Sequence, residues 1–215
     1  MKVIESNSNA HCMEFIGKYM GPVLIQYEGK CEEISIIFKP LGINLFLKDY
    51  TQPIEPNFSK PITEKAWIDF IENFFKHDFD LKSLETFLIS QYRETFEYTK
   101  LQTSLLLLNG LDGNKSIASI ALELGYNPKT FHRNFVKHMG CTPIEYRRIC
   151  KFRNSVATKL NENNIKSLTD LTYENGFFDQ AHFIREFKKL TNLNPKAYFK
   201  AVHKVDGDKI VWKIL

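Results

Sequence analysis

The sequence lacks any long apolar run. Its longest uninterrupted hydrophobic stretch is the four residues Leu105–Leu108, far short of the ~18 residues that a membrane-spanning helix needs. The first residues also lack the apolar core of a signal peptide. We therefore expect a protein that makes no use of a membrane, is not exported and works in the cytoplasm.

Cysteine is scarce, and the four cysteines are Cys12, Cys31, Cys141 and Cys150. They form no C-x-x-C pair and have no histidine at ligand spacing, which argues against a zinc site or a redox motif. Free cysteines of this kind are usually buried. The sequence also lacks a Ser/His/Asp arrangement, a carboxylate pair and a phosphate-binding loop. It therefore predicts no enzyme, no metal and no cofactor.

Charged residues are unevenly distributed between the two halves of the chain. Hydrophobic residues make up 43% and charged residues 25% of 215 residues, as in a globular protein of one large or two small domains. The net charge of +4 conceals a difference between the halves. Residues 1–98 hold 10 Lys and Arg against 15 Asp and Glu, a net of −5, whereas residues 99–215 hold 19 against 10, a net of +9. This asymmetry predicts that the C-terminal half meets a polyanion.

The first 98 residues predict a small α+β domain. Strand-like runs at Val23–Tyr27 and Glu33–Phe38 predict an antiparallel pair, Ile43–Tyr50 a short helix, and the proline-rich Thr51–Pro61 an extended loop. Two amphipathic helices follow. The first begins at Thr63 or its neighbour and ends near His77; the second is capped by Asp80. Their apolar stripes are Trp67, Phe70, Ile71, Phe74 and Phe75, and Leu84, Phe87, Leu88, Tyr92 and Phe96.

Beyond a turn-rich segment at 109–114, which follows a predicted helix at Thr99–Leu108, the sequence repeats itself. The segment 116–126 is matched 51 residues later by 167–177, and later landmarks recur after 52 residues. Those landmarks are Phe131, Phe135, Thr142-Pro143 and Tyr146, matched by Phe183, Phe187, Asn194-Pro195 and Tyr198.

Each copy predicts a helix-turn-helix, which is two short helices joined by a turn that contains glycine. In the first copy Ser116 caps a helix at 117–124, Gly125 ends it, and a second helix runs from Pro128 to Met139. In the second copy Ser167 caps a helix at 168–175, Gly176 ends it, and Asp179 caps the next helix. The paired phenylalanines of both second helices face inward.

The outward faces of both second helices are rich in hydrogen-bond donors, as insertion into a DNA major groove requires. They carry Lys129, His132, Arg133 and Lys137 in the first copy, and Gln180, His182, Arg185 and Lys188 or Lys189, flanked by Ala181 and Ile184, in the second. An uninterrupted helix from Pro143 to about Glu162 joins the copies and carries Arg147, Arg148, Lys151 and Arg153. Its length of ~30 Å is close to the ~34 Å between successive major grooves.

This half resembles the C-terminal DNA-binding domain of AraC/XylS-type bacterial transcription regulators over roughly 100 of the 215 residues. The resemblance rests on Ile120-Ala121, Gly125-Tyr126, Arg133-Asn-Phe135, Gly140-Cys-Thr-Pro143-x-x-Tyr146-Arg147, Gly176-Phe177-x-Asp179, Phe183-x-x-x-Phe187-Lys188-Lys189 and Asn194-Pro195-x-x-Tyr198. It implies base or backbone contacts by Lys129, Thr130, His132 and Arg133, and by Gln180, His182, Ile184 and Arg185. Two residues depart from the family pattern: Asn192 replaces the usual Gly and Thr172 the usual Ala.

The predicted protein is α+β and mostly α, with an N-terminal domain at 1–98, an all-α tandem helix-turn-helix domain with a long linker helix at 99–203, and a tail at 204–215. Double-stranded DNA is the predicted partner, and transcription regulation implies RNA polymerase as another. The N-terminal domain is either a sensor of a small-molecule effector or a homodimerisation module. The tail either packs on the domain or pairs with another chain. The alternative function is a DNA-binding unit coupled to methyl-transfer DNA repair, which requires an activated thiol.

Overall fold

The computed structural model describes residues 2–5, 13–16, 25–28, 34–47, 59–76, 80–93, 96–110, 115–161, 167–204 and 210–212. These residues form two compact units. The first holds the described residues up to Thr103 together with Lys129–Cys141, and the second holds those of 104–128 and those from Thr142 onward. The fold is α+β and mostly helical, which confirms the predicted fold class.

Four short strands belong to the first unit: β1 (Lys2–Glu5), β2 (Glu14–Ile16), β3 (Ile25–Glu28) and β4 (Ser59–Pro61). β1 pairs with β3 in parallel, with Lys2 opposite Ile25. β2 pairs with β4 in antiparallel orientation, with Glu14 opposite Pro61. Among the described residues of the first unit, these strands therefore form two separate two-stranded sheets.

The predicted antiparallel pairing of 23–27 with 33–38 is wrong. β3 pairs with β1 instead, and residues 34–39 form no strand. The side chains of Ile34, Ile36 and Ile37 are 41%, 40% and 92% exposed, so this segment has little burial to gain from a strand on either face. The β-branched residues gave it strand propensity, but strand formation depends on packing partners. The rest of the second predicted strand, at Glu33, lies outside the described residues.

A 3₁₀ helix at Gly42–Leu45 and two α-helices, α1 (Lys65–Phe74) and α2 (Leu81–Gln91), complete the N-terminal part of the first unit. Asp80 caps α2 as predicted, since its carboxylate accepts hydrogen bonds from the backbone of Lys82 and Ser83. The Phe87 ring stacks on Phe70 at 4.1 Å between ring centroids. The predicted extended loop ends in β4, while 51–58, 48–50 and His77 lie outside the described residues.

The remaining helices are α3 (Phe96–Asn109), α4 (Ile117–Glu123), α5 (Pro128–Met139), α6 (Pro143–Asn161), α7 (Leu168–Glu174), α8 (Gln180–Thr191) and α9 (Pro195–Ala201). α3 begins three residues before the predicted Thr99. Residues from Lys129 to the end of α5 belong to the first unit, whereas α4 and α6–α9 belong to the second. Within the described part of the chain, no helix is long and apolar enough to cross a membrane.

An aromatic core holds the second unit together. Its buried members are Val156, Leu171, Phe177, Phe183, Phe187 and Tyr198, with Phe152, Leu160, Leu168 and Phe199 packed against them. They come from α6, α7, α8, α9 and the turn between α7 and α8. The Phe187 ring contacts Phe152 at 4.8 Å and Tyr198 at 5.4 Å between centroids. This core fixes the face that α8 turns inward, and so the face that it turns outward.

A strand pair follows α9. β5 (Val202–Lys204) and β6 (Ile210–Trp212) are antiparallel, with Val202 opposite Trp212. The two strands of the tail region thus pair with each other within one chain. Residues 205–209 and 213–215 lie outside the described residues.

Candidate nucleic-acid interface

The first helices of the two repeats end in the same way. Gly125 has φ 73° and Gly176 has φ 67°, a left-handed conformation that suits glycine. The backbone N–H of Tyr126 donates to the carbonyl of Ala121 at 2.8 Å, and that of Phe177 to the carbonyl of Thr172 at 3.0 Å. These bonds satisfy the last carbonyls of α4 and α7 and turn the chain sharply toward the next helix.

Side-chain caps fix where the helices of the second unit begin. Ser116 accepts a hydrogen bond from the backbone of Ser119 at the start of α4. Ser167 and Asp170 form a reciprocal capping box at the start of α7. Asp179 accepts from the backbone of His182 at 2.6 Å and so sets the start of α8. The serine caps and the Asp179 cap confirm the prediction from sequence.

α5 separates apolar and polar residues as expected. Phe131 and Phe135 are fully buried, and their ring centroids lie 5.6 Å apart. On the rest of the helix Thr130 is half-buried and four predicted DNA-contacting side chains are exposed: Lys129, His132, Arg133 and Lys137. α5 therefore has four exposed side-chain donors on its polar face.

α8 repeats this separation. Phe183 and Phe187 are fully buried, with centroids 4.7 Å apart. Of the predicted contact residues, three are exposed and two are half-buried: Gln180, Arg185 and Lys189 in the first group, His182 and Ile184 in the second. Lys188 is exposed as well, and Lys188 and Lys189 lie in the last turn, where the helix dipole favours cations.

His182 is directed partly toward its own unit. Its Nε2 lies 3.8 Å from Oε1 of Glu186, one turn along α8, and its ring meets that of Phe177 edge to face at 5.6 Å. The other carboxylate oxygen of Glu186 lies 3.8 Å from Nε of Arg148 on α6. His182, one of the two half-buried predicted contact residues on α8, thus has close neighbours that orient its ring.

Two cations of the linker helix α6 bind backbone carbonyls within the second unit. Nη2 of Arg147 donates to the carbonyl of Lys115, just before the α4 cap, at 2.9 Å. Nζ of Lys151, one turn later, donates to the carbonyl of Gly176 in the α7–α8 turn and lies 5.9 Å from the centre of the Phe177 ring. Burial lowers the pKa of both side chains, and the charge of Arg147 lowers that of Lys151 further.

One contact of α5 comes from far back in the sequence. In the first unit, the side-chain amide of Asn44 in the 3₁₀ helix donates to the carbonyl of His138 in the last turn of α5 at 3.0 Å. It occupies one of the carbonyls that a helix leaves unpaired at its C-terminal end. Asn44 therefore helps to hold the last turn of α5.

The two departures from the family pattern are accommodated locally. Asn192 has φ 58° and follows the last residue of α8, a left-handed position that asparagine tolerates better than most residues. Thr172 is fully buried, and its hydroxyl donates to the carbonyl of Leu168 at 2.7 Å. Neither residue interrupts its helix.

The two cysteines that the structure describes lie in buried environments. Cys141 and Cys150 are buried, as predicted, and burial raises the pKa of the Cys150 thiol. Cys12 and Cys31 lie outside the described residues. Among the residues that the structure describes, no group of three or more His, Cys, Asp or Glu side chains could hold a metal ion.

Three residues near these helices were not predicted from the sequence. Glu186 could have been found from its spacing of four from His182. The signal for Phe178 is that the offset between the repeats changes from 51 to 52 residues, which shows that the second copy has one extra residue in this region. Asn44 has no local signal, because it lies 94 residues from its partner.

Comparison with known proteins gives a match to a family model and weak similarities to solved structures. Residues 107–148 match the model of the bacterial regulatory helix-turn-helix proteins of the AraC family. No curated protein sequence is significantly similar to the chain. A transcriptional regulator with an AraC-type DNA-binding domain from Chromobacterium violaceum aligns over 46% of this chain and 88% of its own, at 21% identity and a TM-score of 0.42.

ToxT from Vibrio cholerae O395 aligns over 68% of this chain and 60% of its own, at 17% identity and a TM-score of 0.42. The matched segment 107–148 contains α4, the glycine turn and α5. The match of residues 107–148 to the AraC-family model confirms, over that segment, the resemblance found in the sequence.

Proposed function

We propose that the protein is a sequence-specific, double-stranded DNA-binding transcription regulator whose recognition helices are α5 and α8. Each helix enters one of two adjacent major grooves. The observation that carries the proposal is that both helices have two fully buried phenylalanines on one side and exposed donors on the other. Two such faces at equivalent positions of a repeat are far more specific than one basic helix.

The exposed donors divide into two chemical classes. Arg133 and Arg185 carry planar forks that match the O6 and N7 acceptors of guanine, and Gln180 matches the N6 and N7 edge of adenine. The lysines of both helices contact phosphates and supply affinity without sequence preference. The proposed interface consists of Lys129, Thr130, His132, Arg133 and Lys137 on α5, and Gln180, His182, Ile184, Arg185 and Lys189 on α8.

The linker helix supports reading of two grooves by one chain. α6 has 19 residues, which corresponds to about 29 Å at the usual helical rise. One turn of DNA separates successive major grooves on the same face by about 34 Å. A rigid helix of comparable length allows a single chain to bind two half-sites that are one helical turn apart.

The regions outside the repeat have regulatory roles in this proposal. Residues 1–98 form a domain that senses a small-molecule effector or joins two chains, residues 99–203 form the DNA-binding domain, and 204–215 the tail. Contact with RNA polymerase follows from a role in transcription, which takes place in the bacterial cytoplasm. We propose no catalytic step. Methyl transfer needs an activated thiol, and burial, which raises the pKa of the Cys150 thiol, disfavours that role for Cys150.

Selection of bound sequences from a random duplex pool tests the proposal. The wild-type protein should enrich a site with two half-sites about one helical turn apart. Arg133→Ala and Arg185→Ala should each weaken binding to that site by about 1–3 kcal/mol and relax the base preference in one half-site only. Because both side chains are exposed, thermal unfolding should not change.

The matched control is Arg93→Ala, which removes an exposed arginine from the segment after α2. It should change neither affinity nor preference. If the Arg133→Ala/Arg185→Ala double variant enriches the same site with wild-type affinity, α5 and α8 are not the recognition helices.

A further inference from the structure

We propose that Phe178 is an additional specificity-determining residue, and that its ring contacts the 5-methyl group of a thymine in the groove entered by α8. This inference rests on the proposed DNA-binding function. It concerns a side chain in the turn of the second helix-turn-helix, outside both helices of that unit.

The second turn is one residue longer than the first. Three residues, from Gly125 to Asn127, separate the C-cap of α4 from the start of α5. Four residues, from Gly176 to Asp179, separate the C-cap of α7 from the start of α8. Because Tyr126 and Phe177 make equivalent backbone bonds and Asp179 caps α8, the extra residue is Phe178.

The extra residue carries a large apolar side chain into solvent. Phe178 is 86% exposed, whereas its neighbour Phe177 is 5% exposed. The Phe177 ring packs edge to face on Phe183 with 5.0 Å between the ring centroids and is therefore part of the aromatic core. Phe178 has no such structural role, and leaving a phenylalanine in water forgoes the free energy of its burial.

The position of Phe178 decides which partner its ring meets. It directly precedes the N-cap of α8, and the N-terminal residues of a recognition helix are those that reach the base edges. The hydrogen bond from the His182 backbone to Asp179 fixes this helix start. Gln180 and Arg185, both exposed, continue the same surface.

The chemistry of the groove narrows the contact to thymine. Every base edge in the major groove presents donors or acceptors, and the thymine 5-methyl is the apolar group among them. An uncharged ring forms neither an ion pair nor a hydrogen bond with phosphate oxygens. In this proposal the polar side chains beside Phe178 contact the polar edges of the other bases. An apolar ring at the leading end of α8 therefore adds a preference for thymine at one position.

The test uses the best duplex selected by the wild-type protein, with each thymine of the α8 half-site replaced in turn by deoxyuridine, which lacks the 5-methyl group. For the wild type, one replacement should weaken binding about fourfold, the value expected for one buried methyl-sized group. For Phe178→Ala, overall affinity should fall, and that same replacement should have no further effect.

Leu106→Ala is the matched control, since Leu106 is 71% exposed on α3 and outside both helix-turn-helix units. It should reproduce the wild-type deoxyuridine profile. If Arg185→Ala weakens binding but Phe178→Ala keeps the wild-type profile, the thymine contact is wrong while the proposed function stands. If the Arg133→Ala/Arg185→Ala double variant binds as the wild type does, the proposed recognition by α5 and α8 itself fails.

Discussion

The cations of α6 and α8 should respond differently to the removal of their charge, although the two helices look equally basic in sequence. Lys151 on α6 donates to the carbonyl of Gly176, whereas Lys189 on α8 is exposed in the last turn. We compare Lys151→Met with Lys189→Met, because methionine keeps most of the apolar stem and removes the charge. The first change should act on folding and the second on DNA binding.

The expected magnitudes follow from these surroundings. For Lys189, loss of one phosphate contact should reduce the slope of log K against log salt by about 0.9. For Lys151, loss of a charged hydrogen bond at a partly exposed site should lower the free energy of unfolding by about 1 kcal/mol. Burial and the charge of Arg147 lower the pKa of Lys151, so holding the charged amine at this site has a cost. That cost offsets part of the free energy of the hydrogen bond, and the loss of stability in Lys151→Met should therefore be small.

Two measurements separate the effects. The affinity for the selected duplex, measured between about 50 and 200 mM salt, gives the slope, and denaturant unfolding gives the stability. Lys189→Met should change the slope and leave unfolding alone, and Lys151→Met should do the reverse. The reasoning is refuted if Lys151→Met lowers the slope by about 0.9 at unchanged stability, because that side chain would then contact phosphate.

Three further predictions concern stability. Phe183→Ala should cost about 3–5 kcal/mol in denaturant unfolding, because it empties a fully buried site in the core; a loss below about 1 kcal/mol would contradict that burial. Asn192→Gly should be neutral or stabilising and Asn192→Val destabilising by at least about 1 kcal/mol, since φ is 58°; equal stability of the two variants would argue against this backbone. Burial raises the pKa of Tyr198 to about 12 from its ordinary value of about 10, so its contribution is complete below pH ~10 and is lost as the pH rises through about 12. The Tyr198→Phe variant should not lose stability in this way between about pH 10 and 12. If its stability falls with pH as that of the wild type does, Tyr198 is not the cause of the loss.

Much of the repeat could be predicted from the sequence because its signals are local. Ser116, Ser167 and Asp179 cap helices within three residues of themselves, and a glycine ends each first helix. Phenylalanines four apart define the buried face of each second helix. Each of these features depends only on residues within about one helical turn. The helix starts at the caps and the buried helix faces can therefore be predicted from the local sequence.

The strands and the long-range contacts could not be predicted in this way. β3 pairs with β1, more than twenty residues earlier in the sequence, rather than with the neighbouring isoleucine-rich segment, and a local pattern does not encode that choice. The contact of Lys151 with Gly176 spans 25 residues and that of Asn44 with His138 spans 94. For this reason the sequence did not show that Arg147 and Lys151 are hydrogen-bonded to backbone carbonyls.

Because of the hydrogen bond from Asn44 to His138, α5 depends on the N-terminal residues in a way that α8 does not. The aromatic core behind α8 is assembled from residues 152–199, so a fragment that starts at Thr99 keeps all of it. The same fragment loses the side chain that holds the last turn of α5. In the proposed function, we therefore expect the affinity of the α5 half-site to depend on the residues around Asn44, and the affinity of the α8 half-site to be independent of them.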